Sequence, residues 1–306
     1  MNPQSGRTGH WANGRVEREF AELDDALRQE AWQRLCEQGW LAPPSEADIA
    51  TRFGSTHVYH WMGADLPIVL LHGAGTSSLM WTPLLGQLAG RTVYALDTIG
   101  DPGQSVQHAP IEDAYELGLW LDENLDALQL DRVHLVGASY GGWIALHYAL
   151  QSPERTATLT LLDPVIEKVR PLFFIHGVAC GIALFTPVPI RRWAARRLRM
   201  NALAIEDKRV RRWGLLGQAK YRRGAPRFVP LTDKQLASIR TPTLLLVAEK
   251  SQVHRSAPLV ARVRSVMPRV DAELVVGAGH SLPVDQAEEI GPRIRAFLNH
   301  ESAHGE

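Results

Sequence analysis

Apolar residues along this chain fall into short, nearly unbroken runs separated by longer stretches of helical period. Residues 68–71 read Ile-Val-Leu-Leu, 92–96 Thr-Val-Tyr-Ala-Leu, 133–136 Val-His-Leu-Val and 158–162 Thr-Leu-Thr-Leu-Leu; further on come 243–248, Thr-Leu-Leu-Leu-Val-Ala, and 272–276, Ala-Glu-Leu-Val-Val. Runs this short and apolar fit strands buried on both faces, as in a parallel sheet. Residues 111–128 and 140–151 between them carry helical patterns. From Thr51 onward the alternation predicts an α/β fold, doubly wound, with a mostly parallel sheet and helices on both faces. Upstream, Phe20, Leu23, Leu27, Trp32 and Leu35 recur at helical spacing among charged residues, so 16–38 predicts an amphipathic helix ending near Gly39. Residues 1–14, with their Gly, Asn and Ser, are expected to be disordered. From 164 to about 230 the rhythm breaks into a segment of helical character, which predicts an inserted helical lid. The expected division is a tail and helix at 1–48, a core at 49–163 and 231–300, the lid at 164–230, and a tail at 301–306.

A chain of 306 residues suffices for one large domain carrying such an insertion. Its formal net charge is zero, so no global field recruits nucleic acid. That balance hides an asymmetry. Residues 164–230 hold 15 Lys and Arg against three acids, near +12, which leaves the remainder near −12. Such a basic face either pairs with the acidic body or meets an anionic substrate, an anionic membrane surface or an acidic partner. Within it, 172–185 is almost wholly apolar yet short for a membrane span, and Pro187 and Pro189 follow. A buried lid helix lining an apolar pocket is expected there. The basic stretch 191–200 leaves weak contact with a membrane surface open. The two cysteines, Cys36 and Cys180, lie far apart and imply neither a disulfide framework nor a zinc site. Residues 1–15 lack the apolar centre of a signal peptide, so a cytoplasmic enzyme is the default.

Ser139 stands in Gly137-Ala138-Ser139-Tyr140-Gly141, after the 133–136 run and before an apolar helical stretch. A serine lifted on a sharp strand-to-helix turn needs tiny residues two before and two after it, and Gly137 and Gly141 supply them. The hydroxyl is then a candidate nucleophile, and the Tyr140 N–H points into the same space. The 68–71 run leads into His72-Gly73-Ala74-Gly75-Thr76, whose small residues let backbone N–H groups face a reacting oxygen. The Ala74 N–H is the candidate partner of the Tyr140 N–H in an oxyanion hole. His72 is expected to prop this loop. After the 272–276 run, Gly277-Ala278-Gly279-His280-Ser281 sets a histidine among small residues, where it can reach a serine on a neighbouring strand end. His280 is the candidate general base.

In these motifs and their order the chain resembles the α/β-hydrolase superfamily, in the capped branch of serine esterases, lipase-like enzymes, C–C bond hydrolases and cofactor-free perhydrolases. The resemblance runs from about Ala50 to Leu298. It includes the His72-Gly73 loop, the Asp97-to-Ser105 segment, the turn at Ser139 and the Gly279-His280 loop. Many relatives carry the acid of the triad shortly after the strand matching 243–248, where this chain has Ser251. The family's second solution places a carboxylate after the preceding core strand, which here ends in Asp163-Pro164. Asp163 is therefore the preferred acid. A structural role for Asp163, with Glu249 as the acid or with no carboxylate in the triad, is the alternative. The resemblance implies a serine hydrolase that cleaves a carboxylic ester or related acyl substrate through an acyl-enzyme, with no metal or organic cofactor. A C–C bond hydrolase, acyltransferase or cyclase would use the same residues. A non-catalytic ligand-binding protein of this fold draws its argument from the missing aspartate at position 251. The expected partner is a small-molecule acyl substrate with an apolar body.

Overall fold

The computed structural model describes residues 10–37, 43–170, 186–190, 193, 207–220 and 226–303. The chain enters through a long helix, α1 (His10–Glu37), then a hairpin of β1 (Ser45–Thr51) and β2 (Gly54–Trp61). There follow β3 (Ala64–Leu71), the short α2 (Thr82–Leu85), β4 (Arg91–Leu96), β5 (Val106–Gln107) and α3 (Ala114–Ala127). Next come β6 (Val133–Ala138), α4 (Tyr140–Gln151) and β7 (Thr156–Leu162). The remaining described elements are α5 (Lys208–Lys220), α6 (Asp233–Ser238), β8 (Thr243–Ala248), α7 (Ser256–Val266), β9 (Val270–Val275), α8 (Leu282–Asp285) and α9 (Ala287–Ala303).

The sheet runs in the order β1-β2-β4-β3-β6-β7-β8-β9, with β5 beside β2. Strands β4 through β9 along this path are parallel, and β1, β2 and β5 are antiparallel. Apolar runs without alternation now have their explanation. Ile68 and Leu70 face one core together with Leu244 and Leu246, while Val69 and Leu71 face the other with Leu245 and Val247. Both faces are covered, so every position in the run is inside. One core is closed by α3, α4 and α7; the other is closed by α1 and α9.

Several boundaries differ from expectation. Helix α1 begins at His10, within the stretch expected to be disordered, because extending a formed helix costs far less than nucleating one. Strand β1 straddles the expected limit of the core at residue 48. It shows few signs of a strand because only Ile49 is buried in it, as on an edge with one covered position. Helix α3 starts at Ala114 and not at 111, because Asp113 caps it by accepting from the Glu116 N–H at 2.9 Å. Strand β9 ends at Val275, before the turn at Gly277 with its φ of +75°, and leaves Val276 exposed. Helix α9 continues through Ala303, past the expected tail boundary.

Helix α1 packs on the body. Trp32 meets Tyr59 and Trp61 with ring centroids 5.3 and 5.4 Å apart. It also packs on α5: Phe20 stacks on Trp213, Asp24 accepts from the Trp213 indole, and Glu30 and Glu19 pair with Arg209 and Arg212. Those two basic residues therefore face acids of α1. The apolar run 172–185, with Cys180, and the basic stretch 191–200 apart from Trp193 lie outside the described residues. Among the described residues no helix is long and apolar enough to cross a membrane.

Candidate active site

Strand β6 ends at Ala138 and α4 begins at Tyr140, so Ser139 alone makes the turn. Its φ of +51° is a left-handed conformation that costs a residue with a side chain about 1–3 kcal/mol. Hydrogen bonds hold it there: Ser139 N–H donates to Leu162 O at 3.0 Å, and Val165 N–H donates to Ser139 O at 3.1 Å. The turn closes only because its flanks are bare. A Cβ on Gly141 would run into the Leu71 carbonyl, and one on Gly137 would lie 2.5 Å from Gly141 O.

Three side chains from three strand ends meet here. His280 Nε2 lies 2.9 Å from Ser139 Oγ, and His280 Nδ1 lies 2.5 Å from Asp163 Oδ2. An ionised carboxylate only accepts, so Nδ1 carries the proton and the Nε2 lone pair faces the serine hydroxyl. Asp163 directly follows β7 and is itself left-handed, with φ of +46°; its N–H donates to Leu246 O at 2.8 Å. Its carboxylate is fully buried and takes four donors. Ala248 N–H at 2.9 Å and His254 Nε2 at 2.9 Å reach Oδ1, while Ser251 Oγ at 2.7 Å and His280 reach Oδ2. Burial by itself pushes this carboxyl up, but the hydrogen bonds from His254 and His280 and their electrostatic attraction outweigh it and hold the group well below the usual carboxylate range.

Ser251, in the position where relatives often carry the acid, supplies a donor to the acid. Its Oγ accepts from Val253 N–H at 3.2 Å, which turns its proton toward Asp163. Glu249 is exposed and accepts from Gly277 N–H at 2.8 Å. The empty slot at 251, the ground for a non-catalytic reading, thus coexists with a carboxylate on His280. Sequence reasoning missed His254; its one signal was its place three residues beyond Ser251.

The loop after β3 lies against the serine. A Cβ on Gly73 would sit 4.0 Å from Ser139 Oγ. His72 is buried and accepts from Thr98 N–H at 2.8 Å through Nε2, so its Nδ1–H donates to Gly73 O at 2.9 Å. It props the loop, as expected. The Gly73, Gly75 and Thr76 amides are committed, to Met80 Sδ, to Asp101 Oδ1 and to Gly73 O. Among the described residues none accepts from the Ala74 N–H, and the Tyr140 N–H heads α4 beside Ser139. Behind the loop, Asp97 accepts from Ser78 and Gln104 N–H groups at 2.8 and 2.9 Å. Burial pushes the neighbouring Asp101 carboxyl up to about 6, against the lowering effect of His72 and the Gly75 N–H.

Beside this loop opens a cavity of about 490 Å³. Its lining is mostly apolar, with Leu27 and Ala31 of α1, Met80, Trp213 of α5 and Val284, and it also includes Arg34, Thr76, Ser77 and Thr82. Met80 belongs to both structures, since its sulfur accepts from Gly73 N–H and Thr76 Oγ1, each at 3.3 Å.

Comparison with known proteins gives consistent matches. Residues 68–291 match the model of the alpha/beta hydrolase family. The chain is 30% identical over 262 residues to the uncharacterized carboxylesterase nap of Bacillus subtilis (strain 168), covering 83% of this chain and 86% of that one. It is 28% identical over 297 residues to carboxylesterase YbfK of the same organism, covering 92% and 96%. Among solved structures, naproxen esterase from Bacillus subtilis superposes with a TM-score of 0.74 at 25% identity, over 89% of this chain and 97% of that one.

Proposed function

The chain belongs to the alpha/beta hydrolase family, and from that premise we propose that it is a serine carboxylesterase working through an acyl-enzyme on Ser139. The observation that carries this reading is the unbroken relay from Ser139 Oγ through His280 to Asp163, with contacts of 2.9 and 2.5 Å. Both bacterial carboxylesterase relatives match over most of their length.

In this mechanism Ser139 Oγ attacks the ester carbonyl while His280 Nε2 takes its proton. Asp163 keeps His280 in the required tautomer and stabilises the imidazolium that forms. Negative charge gathers on the carbonyl oxygen, where the Ala74 and Tyr140 N–H groups receive it; losing one such donor typically costs about 3–4 kcal/mol of transition-state stabilisation. His280 returns its proton to the leaving alcohol. Water, activated by the same histidine, then releases the acid and restores Ser139.

The substrate is a small-molecule ester with an apolar body, and the cavity beside the Ala74 loop is the support for that choice. Residues 164–230 serve as the lid of the core, with α5 as the part that borders the cavity. Burying a methylene contributes about 0.8 kcal/mol, so kcat/KM should rise roughly fourfold per added carbon until the cavity is full. Rates on a matched p-nitrophenyl ester series test this, with Ser139→Ala as the control. The parent should hydrolyse the series with the longer members favoured, and the variant should be inactive on all of it. A parent without ester hydrolysis, or a variant of equal rate, refutes the reading.

A further inference from the structure

We infer that His254 is a positioning residue for the acid of the relay: a neutral imidazole whose Nε2–H fixes the Asp163 carboxylate and takes a share of its charge, thereby setting the pH range in which His280 works as a base. The inference rests on the serine-esterase reading of the same site.

The geometry admits one protonation pattern. His254 Nε2 lies 2.9 Å from Asp163 Oδ1, and both side chains are fully buried. The carboxylate oxygen offers no proton, so Nε2 must carry one. Nδ1 is buried and finds no partner among the described residues. Protonating it as well would bury an N–H donor that finds no acceptor among the described residues, at the desolvation penalty of that group. The ring is therefore held neutral with its proton on Nε2. Its loop is pinned at both ends: Arg170 N–H donates to Val253 O at 2.9 Å, and Ser256 Oγ donates to Ala248 O at 2.6 Å.

Position follows from this pattern. A carboxylate held only through the oxygen facing its histidine can rotate about its own bond. Here Oδ1 is held by His254 and Ala248 N–H, while Oδ2 is held by Ser251 and His280, so the plane is fixed from both sides. Charge follows as well. The titratable groups that act on Asp163 are the two imidazoles, His280 from the loop after β9 and His254 from the loop after β8. Ser251 and Ala248 bring dipoles without charge. Glu249 and Lys250 of the same loop lie outward, toward Gly277. Each donor on the carboxylate weakens its pull on the others' protons. With the His254 N–H removed, Asp163 would hold the proton on His280 more firmly. Protonated His280 cannot take the serine's proton, so activity would disappear at a higher pH on acidification.

The test is kcat/KM against pH on a soluble short-chain ester for the parent, His254→Gln and His254→Leu. Glutamine keeps an N–H donor and leucine removes it. The leucine variant should move the acid limb up by about 0.5–1 pH unit, a loss of roughly three- to tenfold on the limb itself. KM should be unchanged, and the glutamine variant should stay near the parent. A leucine variant that folds and keeps the parent's limb overturns the inference, as does an equal shift in both variants, which would report packing. Nitrogen NMR of the parent with labelled histidine tests the same claim without a variant. Once the ring signals are assigned to residues, His254 should be the neutral Nε2–H form; a charged or Nδ1–H His254 overturns the inference. An active enzyme with an unmoved limb rejects His254 alone, whereas absent ester hydrolysis rejects the esterase reading.

Discussion

Asp163 occupies a left-handed backbone position, and each of its carboxylate oxygens accepts two hydrogen bonds. Replacing it with asparagine keeps the shape but loses the charge, and turns an amide N–H toward one of the donors. Asp163→Asn should therefore lower kcat by roughly a thousandfold or more. Glu249→Gln should leave turnover essentially unchanged, since that exposed carboxylate serves only the Gly277 amide on the surface. The reverse pattern in steady-state rates would move the acid to Glu249. Because folding lowers the Asp163 pKa, its contribution to stability is complete above the usual carboxylate range and is lost only as pH falls through the depressed value. Legibility at this scale tracks how local the chemistry is. Ser139 and His280 announce themselves through small neighbours that a turn or a close approach demands. Asp163 is visible only as a carboxylate at a strand end. His254 leaves little signal, because its burial and its partner 91 residues away come from the folded sheet.

Among the elements, the central strands were readable because burial on both faces leaves a continuous apolar run, whereas β1 was not, having one buried side chain to betray it. Helix α1 was readable as amphipathic, but not where its apolar stripe would dock. The structure gives it two anchors of different kinds. Trp32, buried against Tyr59 and Trp61, should dominate: Trp32→Ala is expected to cost about 3–5 kcal/mol, seen as a large fall in Tm. The pairs of Arg209 with Glu30 and of Arg212 with Glu19 are solvent-exposed. Exposed ion pairs are screened and entropically costly, so replacing both arginines by alanine should barely change Tm. A double-arginine variant as destabilised as Trp32→Ala would contradict this ranking of aromatic burial over surface charge.

For the molecule as a whole, the sheet brings residues 139, 163 and 280 together from the ends of β6, β7 and β9, while α1, α5 and the loop after β3 border a mostly apolar cavity. The order of motifs made the fold legible at this level. The cavity was not, since its walls come from segments as far apart as Leu27 and Val284. The mechanism requires that Ser139 become covalently acylated. The most direct measurement is mass spectrometry of the protein after reaction with a fluorophosphonate, followed by peptide mapping. One adduct should form, on the peptide containing Ser139, and Ser139→Ala should remain unlabelled while unfolding at about the parent's temperature. An adduct on another residue, or a parent that stays unmodified, would contradict the account.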